Sequence, residues 1–162
     1  MLPTYTTILV TTDLSPNSEY AFKHAVMLAR QNRADIYLLH VVPEVDATFR
    51  SYISAVMGEG ELDRLEKEQE GTAIENIKEE LDRFARTELA EFPDDLERFV
   101  GTLVKRGDPV VEILRVADEL KVDAIVMGTH GKGQLSYTFL GSVTKKLLRK
   151  SKYPVFAIPL PD

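Results

Sequence analysis

Residues 124–142 read AIVMGTHGKGQLSYTFLGS, and the fold turns on this stretch. Ala124-Ile125-Val126-Met127 is a short apolar run without alternation, as expected of a buried strand. It passes directly into a glycine-rich segment, Gly128 to Gly141. Ser142 to Arg149 then reads as a short helix, with Lys and Arg near its C-terminus where cations complement the dipole. Pro154 to Ile158 is a further strand before Pro159. Strand, helix, strand is the unit of a parallel sheet.

Upstream, the same alternation repeats. Ile8-Leu9-Val10 is the first strand and ends in Thr11-Thr12-Asp13. Ser15 can cap a helix and Pro16 suits its first turn. Ala21, Phe22, Ala25, Val26 and Ala29 then fall on one helical face. Ile36 to Val42 is a second strand, stopped by Pro43 and apolar on both faces except for Tyr37 and His40. Residues 44–60 have no clear period and contain Gly58 and Gly60, so an irregular loop is expected. From Glu61 to Ala90 the pattern is helical and highly charged. Leu62, Leu65, Ile74, Ile77, Leu81, Phe84 and Leu89 form a narrow apolar stripe, with Gly71 as a point of interruption. A solvated helix covering the sheet is the simpler reading of that stripe, against a partner-binding helix. Phe99 to Val104 is a third strand. Gly107-Asp108-Pro109 closes it and opens a helix carrying Val110, Ile113, Leu114, Ala117 and Leu120.

Five strands alternating with four helices predict an α/β fold: a parallel sheet with right-handed crossovers and helices on both faces. No internal repeat or composition break divides the chain, so residues 1–162 read as a single domain. At 162 residues, one core suffices without staples. The net charge is 20 − 26 = −6, which repels phosphate backbones and argues against a nucleic-acid binder. The absence of cysteine excludes disulfides, thiolate nucleophiles and Cys-type metal sites. No signal peptide is read at Met1–Tyr5, and no apolar run approaches the ~20 residues of a membrane helix. A soluble cytoplasmic protein without a membrane partner is expected.

Open α/β sheets bind ligands at the carboxyl ends of their strands. Two strand ends stand out: Thr11-Thr12-Asp13-Leu14-Ser15, and Gly128-Thr129-His130-Gly131-Lys132-Gly133. Glycine there lets the backbone approach a ligand or take positive φ. Ten residues beyond Gly131, Gly141-Ser142 begins a helix, whose free N–H groups and hydroxyl suit an anion. The two glycine turns and the helix start can wrap a polyphosphate from two sides. Spacing alone equally allows the glycines to be turn residues only. Other phosphate motifs fail. Gly128 and Gly133 have the Walker gap, but Gln134-Leu135 follow in place of Lys-Ser/Thr. A dinucleotide fingerprint would need glycine or alanine where Ser136 stands, and the cluster follows the fourth strand rather than the first. The three histidines lack metal-ligand spacing. His24 reads as surface or core filler and His40 as a satisfied buried histidine. His130 reads as a turn residue, with a phosphate contact as its alternative. Ser15 reads as a cap, with the same alternative.

These residues carry a resemblance. Gly128-x-x-Gly131, nine residues, then Gly141-Ser142 resembles the ATP-binding motif of the universal stress protein family. Asp13, Leu39-His40-Val41-Val42, Gly107-Asp108-Pro109 and Pro154-Val155-Phe156-Ala157-Ile158-Pro159 resemble further family positions, so the resemblance covers nearly the whole chain, with 44–60 the least matched part. The resemblance implies a half-Rossmann-like sheet of strand order 3-2-1-4-5. Its switch point then lies between strands one and four, whose ends the residues had already singled out.

The resemblance also implies roles around the end of strand one, Thr11-Thr12-Asp13. Asp13 would face the ribose-phosphate or a Mg2+ ion, and the Val41 backbone would meet adenine. Met127, Gly128 and Gly131 would line the ribose and phosphates. Gly141, Ser142, Val143 and Thr144 would hold phosphates through N–H and hydroxyl groups. Lys132 would add charge to the phosphates or remain a solvated loop lysine. Magnesium commonly sits between one or two carboxylates and phosphates, so Asp13 alone is sufficient chemistry. Phosphoryl transfer also needs a group that orients the nucleophile, and no convincing base is legible. The resulting expectation is an ATP-binding stress-response regulator whose nucleotide state tunes an unidentified protein partner. The alternatives are a slow ATPase or nucleotide-transferring enzyme, and a scaffold with a vestigial pocket. A bare apolar fifth strand would be an aggregation hazard. Pairing with its twin would cover it, as the family often does, so a homodimer is expected.

Overall fold

The structure, a computed structural model, describes residues 1–44, 51–52, 54–56, 58–129 and 141–161. In chain order its elements are β1 (Thr7–Thr12), α1 (Pro16–Asn32), β2 (Asp35–Val42), α2 (Glu59–Glu88), α3 (Pro93–Arg98), β3 (Phe99–Arg106), α4 (Pro109–Leu120), β4 (Ala124–Gly128), α5 (Ser142–Lys150) and β5 (Val155–Ile158). The strands form one open parallel sheet in the order β3-β2-β1-β4-β5.

Alternation along the strands divides the core into two layers. Ile8, Val10, Ile36, Leu38 and Val126 face α1 and α2, meeting Phe22, Ala25, Leu81 and Ala85. Leu9, Leu39, Val41, Ile125 and Met127 face the other way, onto Ile113, Val116 and Ala117 of α4 and Leu147 of α5. Strands β1, β2 and β4 are therefore apolar on both faces, because helices cover both.

Three features differ from the sequence reading. Residues 51–52 and 54–56 are helical within the stretch read as loop. Tyr52 and Val56, its described large apolar side chains, are exposed and mark no buried stripe. Helix α2 runs unbroken through Gly71. One glycine in a helix interior costs about 1 kcal/mol, which does not stop a helix of 30 residues anchored on the core. Short α3 was not anticipated. Its buried Asp95 accepts hydrogen bonds from Arg30 of α1, a contact between residues 65 apart.

The sheet's entrance is held by Asp123, just before β4. Its Oδ2 accepts from the Thr6 N–H (2.7 Å), the Thr6 hydroxyl (2.8 Å) and the Thr7 N–H (3.0 Å). Burial pushes this carboxyl up, but the three hydrogen bonds outweigh it and the group ends below its ordinary value. A lowered native pKa contributes stability above the unfolded value near 4, and that stability is lost as pH falls through the native value. Asp123→Asn is expected to cost about 1 kcal/mol at pH 7. The gap from wild type should narrow as urea titrations are moved below pH 4. A gap that stays constant with pH would exclude this role.

Candidate functional site

Strands β1, β2 and β4 end around one cavity of about 450 Å³. The two strand ends singled out from sequence are adjacent because β1 and β4 pair directly, with Ile8↔Ala124 and Val10↔Val126 in register. Thr11, Thr12, Asp13, Val41, Met127, Gly128, Gly141, Ser142, Val143 and Thr144 all border the cavity. Gly131, Lys132 and His130 lie outside the described residues. Further wall residues, not expected from sequence, include Leu14, Ser18, Pro43, Pro109 and Ile113. Leu14, Pro43 and Pro109 stand just past a strand end or at a helix start, whereas Ser18 and Ile113 lie within α1 and α4 and carry no such signal.

One wall is the turn from β1 into α1. Asp13 Oδ1 accepts from the Ser15 N–H (3.0 Å) and the Ser18 hydroxyl (2.5 Å). The Ser18 Oγ in turn accepts from the Asp13 N–H (3.0 Å). Ser15 caps α1, its Oγ accepting from the Ser18 N–H at 3.4 Å. Between them Leu14 sits at φ 69°, in the left-handed region. Bulky side chains rarely adopt that conformation, so the surrounding bonds impose it.

The opposite wall is the start of α5. The Gly141 N–H donates to the Thr129 carbonyl at 2.8 Å, tying the returning chain to the end of β4. The buried Thr144 hydroxyl donates to the Gly128 carbonyl at 3.0 Å. That hydrogen is therefore spent on the fold. The first helical N–H groups, at Ser142, Val143 and Thr144, have no carbonyl four residues back within the helix. Helix α1 has a side-chain cap from Ser15 and an acidic first turn at Glu19. Helix α4 has Asp108 and Glu112 in the same roles. Helix α5 has neither a side-chain cap nor an acidic residue in its first turn. Its positive dipole end is left for an anion to complement.

The third wall is apolar: Leu39, Val41, Met127, Pro109 and Ile113. Beside it, β1–β2 pairing stops at Thr12↔His40 while β2–β3 pairing continues to Val42↔Arg106. The Val42 carbonyl accepts from the Gly107 N–H, so it points towards β3. Alternation turns the Val41 carbonyl the other way, past the last paired residue of β1. The site thus joins an apolar slot with a backbone edge to a polar end built from N–H groups, hydroxyls and one carboxylate.

Gly128 is needed for close approach. A Cβ there would lie 2.3 Å from Asn17 Oδ1, and Asn17 is 2% exposed. Gly141 has φ −61°, ψ 154°, which any residue can adopt. His40 is buried, with Nδ1 2.7 Å from the Thr12 carbonyl oxygen. His24 is exposed, edge-on to Tyr20. Among the described residues no three His, Asp or Glu side chains gather as a metal cage. The donor set at Asp13 fits a hydrated Mg2+ that arrives with phosphates, which needs only one or two protein carboxylates. Among them, too, no helix is long and apolar enough to cross a membrane.

Comparison with known proteins gives consistent matches over nearly the whole chain. The sequence model of the universal stress protein family matches residues 4–159. Universal stress protein MJ0577 of Methanocaldococcus jannaschii is 34% identical over 158 residues, covering 95% of this chain and 94% of that protein. Universal stress protein YxiE of Bacillus subtilis is 34% identical over 155 residues, covering 93% and 97%. The solved structure of MJ0577 superposes with a TM-score of 0.67 at 32% identity over 99% of both chains. A universal stress protein solved in complex with cAMP shares the fold at a TM-score of 0.60 and 21% identity, covering 97% of this chain and 98% of that one.

Proposed function

Because the chain belongs to the universal stress protein family, we propose that residues 1–162 act as one ATP-binding unit whose nucleotide state tunes a protein partner in a stress response. The observation that carries this reading is the single cavity that joins the uncapped α5 N-terminus, the Asp13 carboxylate and the apolar slot beside Val41. Those three chemistries match a triphosphate, its Mg2+ and a purine base.

In this reading the base lies in the apolar slot, with the Val41 backbone meeting its polar edge. The ribose passes Gly128. The phosphates meet the N–H groups of Ser142, Val143 and Thr144, together with the Ser142 hydroxyl. On the other side they meet Thr11, Thr12 and Asp13, and Mg2+ lies against the Asp13 carboxylate. By the family resemblance Gly131 would line the ribose and phosphates, and Lys132 would add charge to them or stay solvated; both lie outside the described residues. When bound, the metal neutralises phosphate charge. The chain's own residues orient the ligand and shield it on its apolar side.

Binding is favoured over hydrolysis by one feature. The two titratable side chains among the described cavity residues, Asp13 and His40, both spend hydrogen bonds on holding the β1–α1 turn. A cytoplasmic homodimer is part of the proposal. Strand β5 lies at the sheet edge and its four residues are only half-buried, so pairing with a second copy would cover it.

The test is to denature freshly purified protein, identify any released nucleotide by mass spectrometry, and titrate the emptied protein with Mg-ATP. ATP near one per chain, or saturable micromolar binding, is the expected result. No released nucleotide together with a flat titration would overturn the reading and favour a vestigial pocket.

A further inference from the structure

One buried side chain of the cavity wall holds the β1–α1 turn from the β2 side. His40 is 9% exposed, borders the cavity, and places Nδ1 2.7 Å from the Thr12 carbonyl oxygen. A carbonyl only accepts, so Nδ1 carries the proton and donates. Thr12↔His40 is the last pair of the β1–β2 ladder. The side-chain bond therefore acts where backbone pairing stops, and it sets the direction in which β1 leaves the sheet.

Beyond that pair the chain enters a strained turn. Asp13 is held from the α1 side by the Ser15 N–H and the Ser18 hydroxyl. Leu14 is held at φ 69°. Such a conformation persists only where its surroundings over-determine it. The turn is pinned from α1 by the two serines and from β2 by His40. Releasing the β2 pin lets the Thr12–Leu14 backbone relax, and the Asp13 carboxylate moves with it.

We propose that His40 is a positioning residue: its Nδ1–H clamp on the Thr12 carbonyl sets the Asp13 carboxylate where Mg2+ arrives with the phosphates. This inference rests on the nucleotide reading. It predicts that His40 acts on the metal-dependent part of affinity, through Asp13, and not on the slot that takes the base.

Calorimetric titration with ATP, with and without excess Mg2+, tests it on three variants. His40→Leu keeps bulk and removes the donor. His40→Asn puts an amide N–H at the same number of bonds from the backbone as Nδ1. His40→Gln puts it one bond further out. Wild type is expected to bind Mg-ATP more tightly than free ATP. His40→Leu should bind Mg-ATP about tenfold more weakly, the scale of one hydrogen bond, and free ATP as wild type does. His40→Asn should stay within about twofold of wild type by the same measure, and His40→Gln should resemble the leucine variant. Should His40→Leu fail to fold by circular dichroism, the Asn and Gln variants carry the comparison alone. Equal losses in the variants, or a loss of the same size without Mg2+, would overturn the inference. So would wild-type binding that ignores Mg2+, although that result spares the nucleotide reading. A flat wild-type titration removes both.

Discussion

Ser142→Asp is expected to weaken Mg-ATP binding at least about 100-fold while leaving the melting temperature unchanged or slightly higher. The two effects have opposite sign because they act on the same helix end. Helix α5 starts without a side-chain cap or an acidic residue in its first turn. A carboxylate at its first position complements the dipole and contributes about 0.3–1 kcal/mol to stability. Ser142 is exposed and borders the cavity, so the substitution removes no packing. The new charge occupies the region assigned to phosphates. Two like charges about 4 Å apart repel by roughly 4 kcal/mol at a surface-like dielectric, and 100-fold in affinity needs only about 2.7 kcal/mol. Thermal unfolding and calorimetric titration of the same sample read both quantities. Undiminished ATP binding by a folded Ser142→Asp protein would remove α5 from the site. A lost fold would show that the helix start is structural.

The second large effect falls on stability. Gly128→Val should lower it by about 3 kcal/mol, or roughly 6–12 °C for a domain of this size. Any Cβ at 128 would lie 2.3 Å from Asn17 Oδ1 and 2.7 Å from its Cγ. Asn17 cannot yield cheaply. It is 2% exposed at the start of α1, and its Nδ2 donates to the Ile158 carbonyl of β5 at 3.3 Å. Displacing it breaks that bond and leaves a buried amide short of a partner, a cost of about 1–3 kcal/mol in addition to the overpacking. Adding Asn17→Ala to the valine variant should restore part of the loss by opening the space. A Gly128→Val protein that melts within about 2 °C of wild type would show that close approach is not what requires glycine here.

Gly128 also shows how far the sequence could be read. Its place after a buried strand marked it as special, and both readings then available, turn residue and ligand approach, concerned its own backbone. The structure adds a third reason, the side chain of a helix more than 100 residues earlier. Thr144 is similar. The family resemblance implied a phosphate contact through its N–H and hydroxyl, yet the hydroxyl donates to the Gly128 carbonyl and only the N–H remains for an anion. Ser18 carried no signal beyond its spacing from Ser15, though it holds the Asp13 carboxylate. Two elements were missed for a common reason. Among the described residues of 51–56 the large apolar side chains, Tyr52 and Val56, are exposed, and α3 has six residues, too few to display a helical period.

The five strands, the four longer helices, the α/β class and the two strand ends that meet at the cavity were determined by the sequence alone. Each rests on apolar periodicity, glycine and proline placement, and helix caps, which are written within a few residues of where they act. The resemblance built on those residues supplied the strand order, and the sheet has that order. Tertiary structure alone decided which side chains close the site: Asn17 against Gly128, His40 on the Thr12 carbonyl, Thr144 on the Gly128 carbonyl. Those contacts join residues 16 to 111 positions apart. They depend on the pairing of β1 with β2 and β4 and on the register of those pairs, and that register is set only when both layers of the core close on the sheet.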